Sequence, residues 1–264
     1  MSLKLYDTHA HLNDDAFAED AAAAFERAFA AGVERINIVG CDEKTSAEAV
    51  AFSRQYENVY AVVGVHPSDS EPYDDALEEK LRHWAATEKV VAIGEIGLDY
   101  HYEDDVPPEH QQKIFRRQLR LSLELGLPIV IHSRDAMEDT VRILREEQPP
   151  EGFRGVFHCF SGSWEQAKIC LELGFCLGFD GPVTFKNAKK AVRVVTEMPL
   201  ERLLIETDCP YMAPEPLRGR RNEPAYVAHI AAKIAELRGL TAEEVAKITY
   251  EIGCTLFGLS TETP

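Results

Sequence analysis

The chain contains no apolar run approaching the roughly 20 residues of a transmembrane helix, and none precedes the first motif, which begins at Tyr6. Neither a membrane span nor a cleaved leader is expected. No Cys-x-x-Cys pair occurs among Cys41, Cys159, Cys170, Cys176, Cys209 and Cys254, which argues against a thiolate zinc site. A chain of 264 residues folds without covalent staples, since it can bury roughly 70–75% of its unfolded surface. The cysteines therefore read as free thiols in a reducing, cytoplasmic compartment. Positive charge is scarce: 28 Lys and Arg stand against 45 Asp and Glu, a net charge of −17. That balance excludes a broad basic surface for duplex nucleic acid, so a polyanion must be drawn in by local cations or bound metal. Also missing is a Gly-rich phosphate turn after the first apolar run, which doubly wound dinucleotide folds often carry. With no internal repeat or low-complexity tract, residues 1–264 are expected to form one domain.

What is present is alternation. Short apolar runs at 3–8, 35–39, 59–65, 90–96, 128–132, 155–158, 176–179 and 203–207 are β-branched or apolar on both faces, as in buried parallel strands. Helical stretches lie between them. Residues 20–31 are Ala-rich and stop at Gly32, while 109–125 place Phe115, Leu119 and Leu123 at spacing four and stop at Gly126. Ser163 with Gln166, and Thr241 with Glu244, read as capping boxes that open two more helices. Eight strand–helix alternations in a chain of this length predict an α/β fold, a (β/α)8 barrel whose active site lies at the C-terminal ends of the strands.

Several chemistry-bearing residues fall at those ends. In a strand, alternate residues share a face, so Asp7, His9 and His11 are expected to point the same way, and two imidazoles at that spacing can grip one metal ion. A lone strand histidine is usually a satisfied core residue; a pair closing a short apolar strand is harder to explain so blandly. Glu95 ends the fourth strand between Gly94 and Gly97, where glycine permits close approach of backbone or ligand. His66 ends the third strand, His132 the fifth and His158 the sixth, while Glu206 and Asp208 close the eighth. His83, His110 and His229 lie in helical or polar contexts, and His101 is ambiguous. Each placement has a bland alternative, but a barrel gathers all of its strand ends around one pocket. Imidazole and carboxylate together suit Zn, Mn or related divalent ions.

In chain order the motifs are DTHAHL, GVHP, GEIGLDYH, IHSRDA, HCFSG, GPVTFKNA, ETDCPYMAP and RGRRNEP. Together they resemble the TatD-type deoxyribonucleases, a metal-dependent family among the amidohydrolase-like barrels, over nearly the whole chain. The resemblance implies a two-metal phosphodiesterase acting on DNA. His9, His11 and Asp208 would hold one divalent ion (Zn, Mn or Mg), His132 and His158 the second, and Glu95 would bridge them. Two ions about 3.5–4 Å apart can clamp the attacking and leaving oxygens of a phosphate. Glu206 or Asp208 would orient or deprotonate the attacking water. Related barrels often bridge with a carboxylated lysine; no lysine ends a predicted strand here, which favours the phosphodiesterase branch over the amidase branch.

The cations needed for DNA occur locally. Lys186, Lys189 and Lys190 follow the seventh strand, and Arg218, Arg220 and Arg221 with Asn222 sit in the loop 212–224. These, with Arg134, His66 and Ser161, are the candidate substrate contacts. Tyr211, Phe185 and Trp164 are candidates to stack bases. A barrel mouth ringed by loops admits a frayed single strand more readily than a rigid duplex, and the resemblance points to 3′-to-5′ exonuclease action; a monomer or small homo-oligomer is expected. Two other readings stand beside this one. One is a hydrolase of a small phosphoester, lactone or amide. The other, a scaffold with a structural metal, is disfavoured because such sites usually lean on cysteine.

Overall fold

The apolar runs become strands because their β-branched residues pack well on both faces of a pleated sheet. In the computed structural model, which describes residues 3–101 and 106–262, they are β1 (Leu5–Ala10), β2 (Val33–Val39), β3 (Val59–Val63), β4 (Val90–Asp99), β5 (Ile129–Arg134), β6 (Gly155–Phe157), β7 (Cys176–Phe179) and β8 (Leu203–Ile205). Each pairs in parallel with the next, in the order β1 to β8. A bridge between Ala10 and Cys209 brings the first strand against the segment after the last. There Asp208 N donates to His9 O at 2.9 Å and His11 N donates to Cys209 O at 2.8 Å. The result is the expected (β/α)8 barrel, and the hydrogen bonds that draw its edges together also set Asp208 beside the two histidines of β1.

The helices are α1 (Ala21–Ala30), α2 (Glu43–Gln55), α3 (Asp75–Ala85), α4 (Pro108–Leu125), α5 (Met137–Glu147), α6 (Trp164–Glu172), α7 (Lys189–Glu197), α8 (Val227–Arg238) and α9 (Ala242–Leu256). Ser163 and Thr241 make the expected reciprocal capping boxes, and Asp42 with Thr45 makes a third at the start of α2. Helix α4 ends at Gly126 with φ 65°, the left-handed turn that glycine adopts without steric cost. Of the three residues at spacing four, Phe115 and Leu119 are buried, whereas Leu123 is 37% exposed. Eight residues at roughly 100° each carry Leu123 about 80° away from Phe115 round the helix, so spacing four drifts off the apolar stripe.

Alternate strand residues divide between two cores. Tyr6, Val62, Ala92, Val130, Val156 and Leu204 cluster with Tyr250 of α9 and with Phe257 just beyond it. The intervening Ile93, Ile129, Ile131 and Ile205 pack with the surrounding helices. This two-sided burial, worth roughly 1.5–3 kcal/mol per large apolar side chain, makes the strand ends a rigid ring. Two shifts from the expected bounds bear on the site: β1 runs to Ala10, not residue 8, and β4 runs to Asp99, not residue 96. Glu95 therefore sits within a strand, at the irregular pairing of β4 with β5 between Ile93 and Ile96. Among the described residues, no helix is long and apolar enough to cross a membrane, and all six cysteines are unpaired.

Candidate functional site

Four imidazoles and two carboxylates converge at the C-terminal ends of β1, β4, β5, β6 and β8. Glu95, which is buried, lies at the centre. Its Oε2 is 3.3 Å from His9 Nε2 and 3.7 Å from His11 Nε2; its Oε1 is 2.8 Å from His132 Nδ1 and 2.6 Å from His158 Nε2. Asp208 Oδ1 joins the first pair, 3.7 Å from His9 Nε2 and 3.4 Å from His11 Nε2. Glu95 thus stands between two clusters, His9, His11 and Asp208 on one side and His132 and His158 on the other, and the structure brings together all six residues singled out in the sequence.

Neighbouring groups fix which ring atoms face inward. His11 Nδ1 is 3.1 Å from the carbonyl of Val39, a contact that requires a proton on Nδ1 and leaves the Nε2 lone pair facing His9 Nε2, 3.0 Å away. His132 Nε2 is 3.0 Å from Asp99 Oδ2, so its Nδ1 lone pair faces Glu95. Lone pairs of neutral imidazoles would then meet carboxylate oxygens and each other, an arrangement that only a cation reconciles. The donor set therefore fits divalent metal ions. Without a metal, a proton takes that place. Burial alone would lower His132, but hydrogen bonds to Asp99 and Glu95 prevail and raise it to about 9. Burial would raise Glu95, yet the surrounding histidines, His158 foremost, hold it well below the usual carboxylate range. His9, stacked on His158 with ring centroids 4.0 Å apart, is lowered to about 4, by burial first and by His158 second.

A second layer holds this centre. Asp7 does not share the inward face with His9 and His11. It accepts from Thr207 N at 2.9 Å and Thr207 Oγ1 at 2.6 Å, tying β1 to β8. The pairing of β1 is irregular between Asp7 and Ala10, which breaks the simple alternation. Glu206 is fully buried; its carboxylate takes the Cys159 N–H, lies 3.3 Å from Thr8 Oγ1 and is 3.8 Å from His158 Nδ1. It packs over Gly178, where a Cβ would stand 2.4 Å from Glu206 Oε2. Gly97, at φ 147°, has a similar reason: a Cβ there would lie 1.9 Å from the carbonyl oxygen of His132. Cys159 and Asp208 hold left-handed backbone, φ 43° and 55°, a local strain of the kind that gathers at functional sites. Sequence reasoning passed over Asp99, Asp180 and Cys41. Asp99 lies four residues beyond Glu95, at the end of the same strand. Asp180 follows β7 and is 3.3 Å from Cys159 Sγ, and Cys41 follows β2 with its Sγ 3.8 Å from His11 Nδ1. For these two, position after a strand was the one available signal.

The centre opens into a cleft of about 1190 Å³. Of the candidate substrate contacts, His66, Arg134 and Ser161 line it, as do Lys189 and Lys190. Phe185 and Tyr211 line it too, Tyr211 with its hydroxyl 2.9 Å from Asp14 Oδ2; Trp164 packs against the core instead. The loop 212–224 contributes less than expected. Arg221 is engaged by Asp20 at 2.6 and 2.7 Å and by the Ala16 carbonyl, and lies over the Phe17 ring. Asn222 is buried, its amide donating to the carbonyls of Thr207 and Tyr211. Arg218 stacks 4.3 Å over Phe185; Arg218 and Arg220 are exposed and outside the cleft wall. Neither local spacing nor composition reveals that Asp20, some 200 residues earlier, takes the Arg221 guanidinium.

Comparison with known proteins agrees with this geometry. The family model described as TatD related DNase matches residues 6–258. The metal-dependent hydrolase YabD of Bacillus subtilis is 50% identical over 259 residues, covering 97% of this chain and 100% of that protein. The 3′-5′ ssDNA/RNA exonuclease TatD of Escherichia fergusonii is 38% identical over 263 residues, covering 97% of this chain and all of its own length, 100%. The crystal structure of YJJV, a TatD homologue from Escherichia coli, superposes with a TM-score of 0.91 at 34% identity, covering 98% of this chain and 100% of that one. With a ring of imidazoles and carboxylates at the mouth of the barrel and a family match along almost its entire length, the chain belongs to the TatD-related DNase family of metal-dependent hydrolases.

Proposed function

We propose that the protein is a two-metal phosphodiesterase that removes nucleotides from the 3′ end of single-stranded nucleic acid. The observation that carries this reading is Glu95, with Oε2 toward His9 and His11 and Oε1 toward His132 and His158. Ions held in the two half-sites would polarise the phosphate and acidify water beside it. The remaining roles fall to side chains. Asp208 lines the cleft and is the group placed to accept the proton of the attacking water. Glu206, beneath the floor, is assigned to holding the Cys159 backbone in position rather than to proton transfer. His66 Nδ1 accepts the Ser68 N–H at 3.2 Å, so the proton of its neutral ring is on Nε2, which faces Glu95 Oε1 at 3.7 Å and can donate to a phosphate oxygen. Arg134, Lys189 and Lys190 hold the strand, and Ser161 supplies a further donor. Water adds to phosphorus, the P–O3′ bond breaks, the 3′ oxygen takes a proton, and a 5′-mononucleotide departs.

A relative bearing the name 3′-5′ ssDNA/RNA exonuclease supports the choice of substrate, and the six unpaired thiols support a reducing, cytoplasmic setting. The test is end-labelled single-stranded DNA and RNA incubated with Mg, Mn or Zn. Stepwise release of mononucleotides from the 3′ end, abolished by chelator, is expected. Internal cuts alone would remove the exonuclease part, and intact strands with every metal would transfer the site to a small phosphoester or lactone.

A further inference from the structure

The cleft is electrically two-sided. The loops after β1, β2 and β3 bring Asp14, Asp42 and Asp69 to its wall and, among the described residues, no lysine or arginine. The end of β5 brings Arg134, and the first turn of α7, which follows β7, brings Lys189 and Lys190. Because the strands run in order round the barrel, these two sets face each other across Glu95. The exceptions do not cancel the contrast. Asp180, on the basic side, is buried against Cys159. Asp135 and Glu138 line a smaller recess next to that wall, where Asp135 Oδ2 is 3.2 Å from His101 Nδ1. Lys44 is 3.2 Å from Asp15 and outside the cleft wall.

Both walls break local electrostatic preference. Lys189 and Lys190 occupy the first turn of α7, which has no acidic residue there and no side-chain cap; cations at a helix N-terminus oppose the macrodipole. Asp69 is raised by burial, then by the neighbouring charges of Asp42 and Glu95. Departures of this kind concentrate where function demands them.

We propose that this polarity sets the direction in which a strand crosses the metal centre and confines cutting to its end. Phosphates of the strand run over Arg134, Lys189 and Lys190, and the wall of Asp14, Asp42 and Asp69 receives one terminal nucleoside that carries no phosphate. The inference rests on the phosphodiesterase reading above. A strand continuing past the cut, or ending in a 3′-phosphate, would place negative charge against that wall. A terminal nucleoside with a free 3′-hydroxyl does not, and the exposed Tyr211 beside Asp14 offers its base a stacking surface.

The experiment compares one 5′-labelled oligonucleotide ending in a 3′-hydroxyl or a 3′-phosphate, with a circular single strand alongside. The native protein is expected to prefer the hydroxyl by about tenfold or more, the scale set by repulsion from two partly screened carboxylates, and to leave the circle uncut. In Asp42→Asn with Asp69→Asn the preference should fall toward one, while elemental analysis shows unchanged metal content. Asparagine still caps α2 at position 42, and Asp69→Asn alone, at a half-exposed side chain, serves if the double variant folds poorly. Equal cutting of both ends by the native protein, or a preference unaltered in the variants, overturns the proposal while sparing the phosphodiesterase reading. If even the hydroxyl-ended strand survives Mg, Mn and Zn, that reading fails and this one with it.

Discussion

Replacing Asp99 should weaken one metal ion and spare the other. Asp99 Oδ2 lies 3.0 Å from His132 Nε2, its Oδ1 accepts the His101 N–H at 2.9 Å, and Gln111 bonds its backbone N–H and carbonyl, both at 2.8 Å. The carboxylate is therefore held still, and it holds His132 with Nδ1 toward Glu95. Partners of this kind contribute about 10–100-fold to metal affinity, or about 1.4–2.8 kcal/mol. Asp99→Ala should show that loss at the half-site of His132 and His158 and leave the half-site of His9, His11 and Asp208 unchanged. Asp99→Asn, a neutral acceptor of nearly the same shape, should fall between. The assay is competition with a chelating dye, which resolves the two ions by affinity. The pH dependence has a definite sign. His132 is raised to about 9 in the metal-free protein, so below that pH a proton competes with the ion. Affinity at this half-site should rise about tenfold per pH unit from 7 to 9 and then level off, with the break at lower pH in Asp99→Asn. Conversely, the raised value stabilises the metal-free fold fully below about 6.5, and that contribution is lost as pH rises through about 9. Both ions binding Asp99→Ala with native affinity would refute the reasoning.

Lys189→Gln with Lys190→Gln should flatten the salt dependence of single-strand binding by up to about 1.4 in log affinity against log salt, a roughly sevenfold effect between 50 and 200 mM salt; fluorescence anisotropy with cleavage blocked by calcium measures it. Arg221→Gln should leave that slope unchanged, because its guanidinium is spent on Asp20. Asp20 itself is lowered to about 2, first by the Arg221 hydrogen bond, so the clamp is intact above about 3.9 and lost as pH falls through about 2. In Arg221→Gln the Asp20 carboxyl, followed by NMR titration, should move back up toward about 3.9.

The fold was legible in the sequence because its signal is local: runs such as 128–132 and 203–207 are apolar on both faces and end in chemistry-bearing residues. Capping boxes at Ser163 and Thr241 were equally readable, since each closes within four residues. What was hidden depends on contacts across the barrel. Simple alternation puts Asp7 on the face of His9 and His11, but Thr207, 200 residues away, takes both its oxygens. Arg221 and Asn222 look like phosphate contacts in a polar, Arg-rich stretch, yet Asp20 and two carbonyls occupy them. Spacing alone, two carboxylates two residues apart, does not separate Glu206 from Asp208. The left-handed backbone of Asp208, φ 55°, and its hydrogen bond to His9 O turn it into the cleft and leave Glu206 below. Asp99 escaped notice because the fourth strand runs three residues further than its apolar run.

The bridging role of Glu95 is tested most directly by counting ions. Native protein and Glu95→Gln, each equilibrated with Zn or Mn and gel-filtered, are analysed for bound metal, with circular dichroism confirming the fold. The native protein should carry two ions per chain, and the variant should lose occupancy at both half-sites, since each half-site depends on one Glu95 oxygen. A folded Glu95→Gln that retains two ions at native affinity would contradict the account.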